Sequence, residues 1–474
     1  MKAEEYINLG YQRLTTFEVG GSGGFSLFGE PPADPMLTAY GIQEFSDMSR
    51  VSEVDPALIQ RAANWLLSQQ EGDGSWKGLQ GFHESTLTNQ TERLPVTAYI
   101  AWSLVEAGFG GDARTQKGLG YLRENQSQAN DPYGLALIAN ALVAADIKAG
   151  ESSHKITPAT QAVLDRLAGM AIQSENSVHW QNDGATFMGS QGETSNLETT
   201  ALATLALLRA DSHTELANAA LMYLIKNKDS FGTWETTQAT VMTLKALLQS
   251  VRGGAEKVDA SITVSLNGGQ TQTIKVTPDQ YDVVQLLSFD DLNPGQDNRV
   301  DIQVDGSGNL MYQIAGSYYI PWGKLSQYPE LSVNELLVDI KVSYDRTSLS
   351  VNDTVNVSVT VSMIQEGGVA KSALIDLGMP PGFTVQAEDL DALVARFNDL
   401  PGEYAFPKIE RYELTGRQIL VYVSNLSYGK PLQFNYRLRA RYPLMAQTPS
   451  SNAYDYYNPG SSGEVEPELL VVNP

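Results

Sequence analysis

Two hydrophobic periods divide the chain. From Lys2 to about Arg252 apolar residues recur at helical spacing, as in Leu58, Ile59, Ala62, Trp65 and Leu66, which share one helix face. From about Val258 onward they alternate, as in Ala260, Ile262, Val264 and Leu266 before Asn267-Gly268-Gly269, or Val355, Val357, Val359, Val361 and Met363. The first half predicts helices and the second predicts strands.

The helical half repeats at a period of roughly 50 residues, the mark of an array of like units. Helices open on Leu37-Thr38-Ala39-Tyr40, Val96-Thr97-Ala98-Tyr99, Glu198-Thr199-Thr200-Ala201 and Thr236-Thr237-Gln238-Ala239. Their partners end in turns that carry an aromatic: Gly24-Phe25, Gly74-Ser75-Trp76, Pro132-Tyr133-Gly134, His179-Trp180 and Gly232-Thr233-Trp234. A glycine suits the left-handed position that ends a helix, and the ring can pack on the next hairpin. About ten helices follow, paired as five hairpins. Stacked hairpins with apolar inner faces close into a two-layered ring, an α/α toroid, and this one is incomplete, with about five of six hairpins. The expected fold class is therefore multidomain, α then β: a toroid over residues 1–254 followed by two antiparallel β-domains. The first is small, residues 255–334 including a linker, with four or five strands between 258 and about 325. The second, residues 335–474, is a β-sandwich interrupted by Pro380-Pro381-Gly382 and a short helix from Glu388 to Asn398.

Composition narrows the chemistry. A formal charge of -23, from 55 acidic and 32 basic side chains, repels nucleic acid and anionic lipid. No apolar run reaches the roughly 18 residues of a membrane span. The chain has no cysteine, which removes disulfides, thiolate zinc sites and cysteine nucleophiles within it. Its opening, Met-Lys-Ala-Glu-Glu-Tyr, reads as helix and carries no export signal.

Six separated segments then become recognisable. "YINLGYQRL", "LTAYGIQEF", "ANWLLSQQEGDGSW", "NSVHW", "TTQATVMTLKAL" and "NAYDYYN" resemble, in order and spacing, the C-terminal part of alpha-2-macroglobulin and the complement thioester proteins. The resemblance implies a thioester-type helical toroid lacking its first hairpin, the remainder of a CUB domain and a receptor-binding sandwich, in a bacterial-type protein. It also implies a broad-spectrum protease inhibitor of the extracellular space or periplasm. Relatives capture proteases, or amines and hydroxyls of target surfaces, through a thioester between the Cys and Gln of Gly-Cys-Gly-Glu-Gln, with N-terminal macroglobulin domains as partners. This sequence lacks that motif, so the chain alone is expected to be non-covalent, and the resemblance would place the motif before Met1.

The resemblance also carries site residues. His83, in Gly81-Phe82-His83-Glu84, falls where complement-type relatives place an acyl-transfer histidine; imidazole is a competent nucleophile and base near neutral pH. The alternative is an exposed polar loop residue. Phe28 matches an aromatic that shields the thioester from water, and Tyr454, Tyr456 and Tyr457 lie in the strand that supplies a shielding tyrosine. For each of these tyrosines ordinary sandwich packing remains the alternative. His179 reads as turn packing, and His154 and His213 lie in polar stretches. No histidine pair has metal-ligand spacing, the Asp/Asn/Gly-rich loops at 290–309 read as turns, and no metal or cofactor is expected.

Two other classes stay open. "WLLSQQEGDGSW" also resembles the repeats of triterpene cyclases, but the only Asp-Asp pair, Asp290-Asp291, lies in the β half, where it cannot be the helical acid. A glycan-degrading toroid needs two carboxylates at a separation that sequence does not give. An inert adhesive or structural module is the third reading.

Overall fold

The computed structural model describes the chain except residues 1, 28, 78–92, 150–155, 175–176, 188, 230–232, 254–257, 281–284, 291, 294, 309, 311, 313, 317–319, 322–323, 325–326, 328–336, 399–405 and 457. The described residues form two compact units. The first comprises 1–79, 91–182 and 196–316, and the second is centred on 317–474.

In the first unit the helices are α1 Lys2–Thr15, α2 Pro35–Met48, α3 Pro56–Ser68, α4 Arg93–Leu104, α5 Ala113–Asn125, α6 Pro132–Ala149, α7 Pro158–Gly169, α8 Gly192–Arg209, α9 Thr214–Lys226 and α10 Thr237–Gly253. Their starts are written in the sequence. Asp34, Asp55, Asp112 and Thr157 accept hydrogen bonds from the first free N–H groups of α2, α3, α5 and α7. Even-numbered helices form the inner layer. Every residue of α4 from Pro95 to Leu104 is buried, as is α6 from Tyr133 to Asp146, whereas outer helices bury a single stripe such as Leu58, Ala62, Ala63, Leu66 and Leu67 of α3.

Several of the inner helices are joined by direct contacts: α4 packs on α6, and single bonds link three other pairs. Gln43 of α2 donates to Ser103 of α4 at 3.0 Å, Asn140 of α6 donates to the Leu202 carbonyl of α8 at 2.9 Å, and Lys245 of α10 meets Asp47 of α2 at 2.7 Å. Packing along the α1 and α10 edge is thinner. Tyr6 and Leu9 of α1 and Leu244, Leu248 and Val251 of α10 are exposed, the last three at i, i+4 and i+7 on one helix face.

A hairpin, β1 Ile172–Ser174 with β2 Ser177–His179, packs on α9. After α10 come three strands, β3 Asp259–Leu266, β4 Gln270–Val276 and β5 Val300–Ser307, in the order β4-β3-β5. Four or five were expected between 258 and 325; these three lie among the described residues, and several positions of that stretch, including 281–284 and 317–319, lie outside them. The alternation of β3 buries Val258, Ala260 and Ile262 with Val276.

The second unit is a sandwich. Its strands are β6 Val338–Tyr344, β7 Ser348–Ser350, β8 Thr354–Met363, β9 Val369–Gly378, β10 Phe383–Val385, β11 Lys408–Leu414, β12 Gln418–Ser427, β13 Leu432–Ala440, β14 Leu444–Gln447, β15 Ser451–Asp455, β16 Asn458–Val465 and β17 Leu469–Asn473. One sheet runs β10-β13-β8-β6, another β11-β12-β9-β15-β16, and β14-β17-β7 forms a third. Strict alternation puts Val355, Val357, Val359 and Val361 of β8 and Leu432, Phe434, Tyr436 and Leu438 of β13 into one core with Ile375 and Leu377 of β9. Helix α11, Ala387–Asn398, closes one side, where Arg437 grips Asp389 with bonds of 2.7 and 2.9 Å.

Candidate functional site

The outer-to-inner turns of the helical unit are built alike. Trp76 donates its backbone N–H to Thr97 Oγ1 at 3.0 Å and its indole N–H to the Leu66 carbonyl at 2.7 Å. Trp180 does the same to Thr200 and Leu167, at 3.0 and 2.7 Å, and Trp234 to Thr240 and Leu224, at 2.9 and 2.6 Å. Phe25, without an indole, keeps only the bond to Thr38, at 2.9 Å. Each indole thus bonds a carbonyl in the last turn of the preceding helix, where Leu66 and Leu167 also accept from the Gln69 and Met170 N–H groups, while each threonine ties the turn to the next inner helix. The fit around Trp76 is close: a Cβ on Gly118 of α5 would stand 2.5 Å from its ring, and Gly74 takes a left-handed φ of 95°.

His83 follows this turn in sequence. His83 itself lies outside the described residues, which stop at Lys77 and resume at Arg93. Asp73 accepts from the Ser75 N–H and hydroxyl at 3.0 and 2.6 Å and pairs with Arg93, the first residue of α4, at 3.2 Å. The Ser75 hydroxyl, then its N–H and Arg93, hold the Asp73 carboxyl below the usual carboxylate range. Phe28 and His154 also lie outside the described residues. The segment around Phe28 is pinned by Phe25, which is buried and packs on Phe45 with ring centres 5.6 Å apart.

Tyr457 is outside the described residues, but Tyr454 and Tyr456 are placed. Tyr454 sits on β15 directly opposite Leu374 of β9. Its neighbour Ala453 points into the sandwich core, so Tyr454 lies on the other face of the sheet. Burial first, then the charge of Asp376, pushes its phenol up to about 12. Asp376, beside Asn452 on the same sheet, is pushed up to about 6 by burial; Gln418 donates to its Oδ2 at 2.7 Å. Tyr456 is partly exposed and donates its N–H to the Ser372 carbonyl at 2.8 Å. His179 stacks on Tyr223 of α9, with centroids 4.8 Å apart, a packing role; His213 bonds Asp165 at 2.8 Å. Among the described residues no group of three His, Cys, Asp or Glu side chains could hold a metal.

Residues 1–249 match the A-macroglobulin TED domain, and residues 368–467 match the A-macroglobulin receptor binding domain. The chain belongs to the alpha-macroglobulin family. Among curated relatives of this macroglobulin chain are Thioester-containing protein 1 allele S1 of Anopheles gambiae, 21% identical over 96% of the chain and 31% of that protein, and Complement C3 of Oncorhynchus mykiss, 22% identical over 96% of the chain and 27% of that protein. The chain therefore spans about a third of the length of these relatives. Among solved structures, native alpha-2-macroglobulin from Escherichia coli, from domain MG7 to the C-terminus, superposes with a TM-score of 0.59 at 15% identity, covering 99% of this chain and 68% of that one. Salmonella alpha-2-macroglobulin reacted with methylamine gives 0.59 at 19% identity, covering 98% of this chain and 27% of that one. These likenesses agree on the fold: a helical unit of inner and outer layers followed by antiparallel sheets.

Sequence reasoning missed the polar interior of the macroglobulin helical unit. Arg209 of α8 and Glu106, in the π-helical turn Val105–Phe109, pair at 2.5 Å, joined by the Trp102 indole at 3.0 Å. Burial works against the Glu106 charge, but Arg209 outweighs it and holds the carboxyl below its ordinary value. Nothing in the spacing of Glu106 and Arg209, 103 residues apart, announces this pair. The Thr partners of the turn tryptophans were visible as recurring threonines in the helix-opening runs, without their role.

Proposed function

We propose that the chain is the C-terminal part of a macroglobulin-like, broad-spectrum protease trap. The observation that carries this reading is the ordered match of two family-specific domains, one over 1–249 and one over 368–467, with the fold agreeing along nearly the whole chain. The working divisions are a thioester-type toroid at 1–254, a CUB-like remainder and linker at 255–334, and a receptor-binding sandwich at 335–474. The protein acts as an inhibitor and not as an enzyme. Its partners are proteases, target-surface amines or hydroxyls, and macroglobulin domains of the same protein, and its location is extracellular or periplasmic.

Within that reading His83 is the acyl-transfer residue. Imidazole attacks an acyl carbon and releases a thiolate, which then serves as base. The support for this role is the match of Gly81-Phe82-His83-Glu84 to the family's position for that histidine. Phe28, with Tyr454, Tyr456 or Tyr457, keeps water from the acyl carbon; the placement of Tyr454 on the sheet face away from the core supports this. A thioester needs a thiol, and the chain has no cysteine, so by itself it captures partners without a covalent bond. Incubation with a protease and labelled methylamine is expected to leave no label and no denaturant-stable adduct on this chain. Covalent uptake of either would overturn the claim.

A further inference from the structure

The turn between β3 and β4 is Asn267-Gly268-Gly269, and an Asn-Gly pair can react with itself. With no Cβ on the glycine, its backbone nitrogen can approach the asparagine side-chain carbonyl, where a larger residue would stand in the way. Asn267 and Gly268 are exposed and lie at positive φ, 53° and 69°, and the Gly269 N–H bonds the Leu266 carbonyl at 3.0 Å, as in a type I′ turn. The Gly268 N–H, whose nitrogen is the nucleophile of that reaction, meets no hydrogen-bond acceptor among the described residues. The asparagine side chain, in contrast, is restrained.

Asn267 is tied to the chain that enters β5. Its Oδ1 accepts from the Arg299 N–H at 2.8 Å, its Nδ2 donates to Asn298 Oδ1 at 2.9 Å, and its own N–H donates to the Arg299 carbonyl at 2.8 Å. Asn298 is fixed in turn by its loop. Its Oδ1 also accepts from the Asn293 N–H at 2.8 Å, and its Nδ2 donates to the Asn293 and Gln296 carbonyls, both at 3.1 Å. Both ends of the Asn267 carboxamide are therefore held towards β5. Attack within one molecule needs the reacting atoms close and aligned, so a carboxamide bonded elsewhere is kept from the geometry in which Gly268 could reach it.

We propose that Asn267-Gly268 is a self-modification site, a latent deamidation site whose rate is set by the Asn298 clasp. When the clasp opens, the Gly268 nitrogen gives up its proton to solvent and attacks Asn267 Cγ. A bond forms between them, the Cγ–Nδ2 bond breaks, and Nδ2 departs as ammonia, leaving a five-membered succinimide. One water then opens that ring. Addition at Cγ gives aspartate, and addition at the main-chain carbonyl gives isoaspartate, whose backbone runs through Cβ and Cγ. Either product lacks the Nδ2 donor and sets a carboxylate oxygen beside Asn298 Oδ1, so an opened clasp does not close as before.

The test uses the full chain, kept folded at pH 8 and 37 °C and sampled over days. Trypsin then releases the fragment 258–275, bounded by Lys257 and Lys275, and mass spectrometry follows conversion of the Asn267 amide to acid, with isoaspartate told apart by its fragment ions. The same fragment, released first and incubated alone, gives the unguarded rate. The folded wild type should convert at least about fivefold more slowly than the fragment, and Asn298→Ala, which removes one clasp bond, should convert about fivefold faster than the folded wild type. A wild type that converts as fast as the fragment, or an Asn298→Ala chain that converts no faster than the wild type, overturns the proposal. Should Asn298→Ala fail to fold, the wild type against its fragment decides, because equal rates leave the clasp no guarding role.

Discussion

The ring and the sandwich are held together by opposite means. The sandwich core is a continuous block dominated by valine, leucine, isoleucine, phenylalanine and alanine, with Tyr436 buried in it and few buried polar side chains beside it, Thr448 and Ser451 among the described residues. The ring interleaves its apolar helices with buried polar groups, including Gln43, Asn140, Glu198 and Gln238 and the threonines that receive the turn tryptophans. A pleated core can be specified by alternation alone, because each strand pairs its backbone with a neighbour. Helices satisfy their backbones internally and must find their angular order by other contacts, and directional bonds between helices supply it. The ring should therefore respond sharply to loss of single polar or indole contacts, and the sandwich hardly at all.

The largest expected effect comes from Trp180. It is fully buried and bonded at both its nitrogens. Trp180→Ala should cost about 3–5 kcal/mol in urea unfolding read by helical circular dichroism. A loss under about 1 kcal/mol would break the idea that turn aromatics fasten the hairpins. Next comes Arg209→Ala, which strands Glu106 in a site where both side chains are about 15% exposed. A loss of about 3 kcal/mol is expected, and replacing Glu106 as well, by Gln, should recover part of it. The smallest effect belongs to the sandwich. Asp376 is raised to about 6 when folded, above the roughly 3.9 of an unfolded aspartate, so the proton it holds stabilises the sheet below pH 4 and is lost as pH passes 6. Asp376→Asn should protect β9 and β12 amides slightly more than wild type at pH 7 and equally at pH 4; a variant less protected at pH 7 would reverse the sign.

How much could be read beforehand follows the same division. Alternation located the long strands β3 and β8, and helical spacing located the helices of the ring. The turn expected at Pro132-Tyr133-Gly134 instead lies in the first turn of α6, because Asp131 accepts from the Gly134 N–H at 2.7 Å and Pro132 is compatible with a helix start. Between 258 and 325 the described residues hold three strands where alternation suggested four or five, and Leu310, Tyr312 and Ile314 are exposed. The candidate site residues were suggested only by family motifs. Polar pairs such as Glu106 with Arg209 join positions whose separation carries no period, and sequence gives no warning of them.

The most direct measurement grafts a helical hairpin bearing Gly-Cys-Gly-Glu-Gln onto the ring at the α1–α10 edge and follows thiol release on adding methylamine. A macroglobulin-type site predicts a thiol that is hidden before methylamine and titratable after it, with label incorporated and transfer to hydroxyls slowed by His83→Ala. A hybrid that folds with its tryptophans buried, yet shows a freely titratable thiol from the outset and takes up no label, would contradict it.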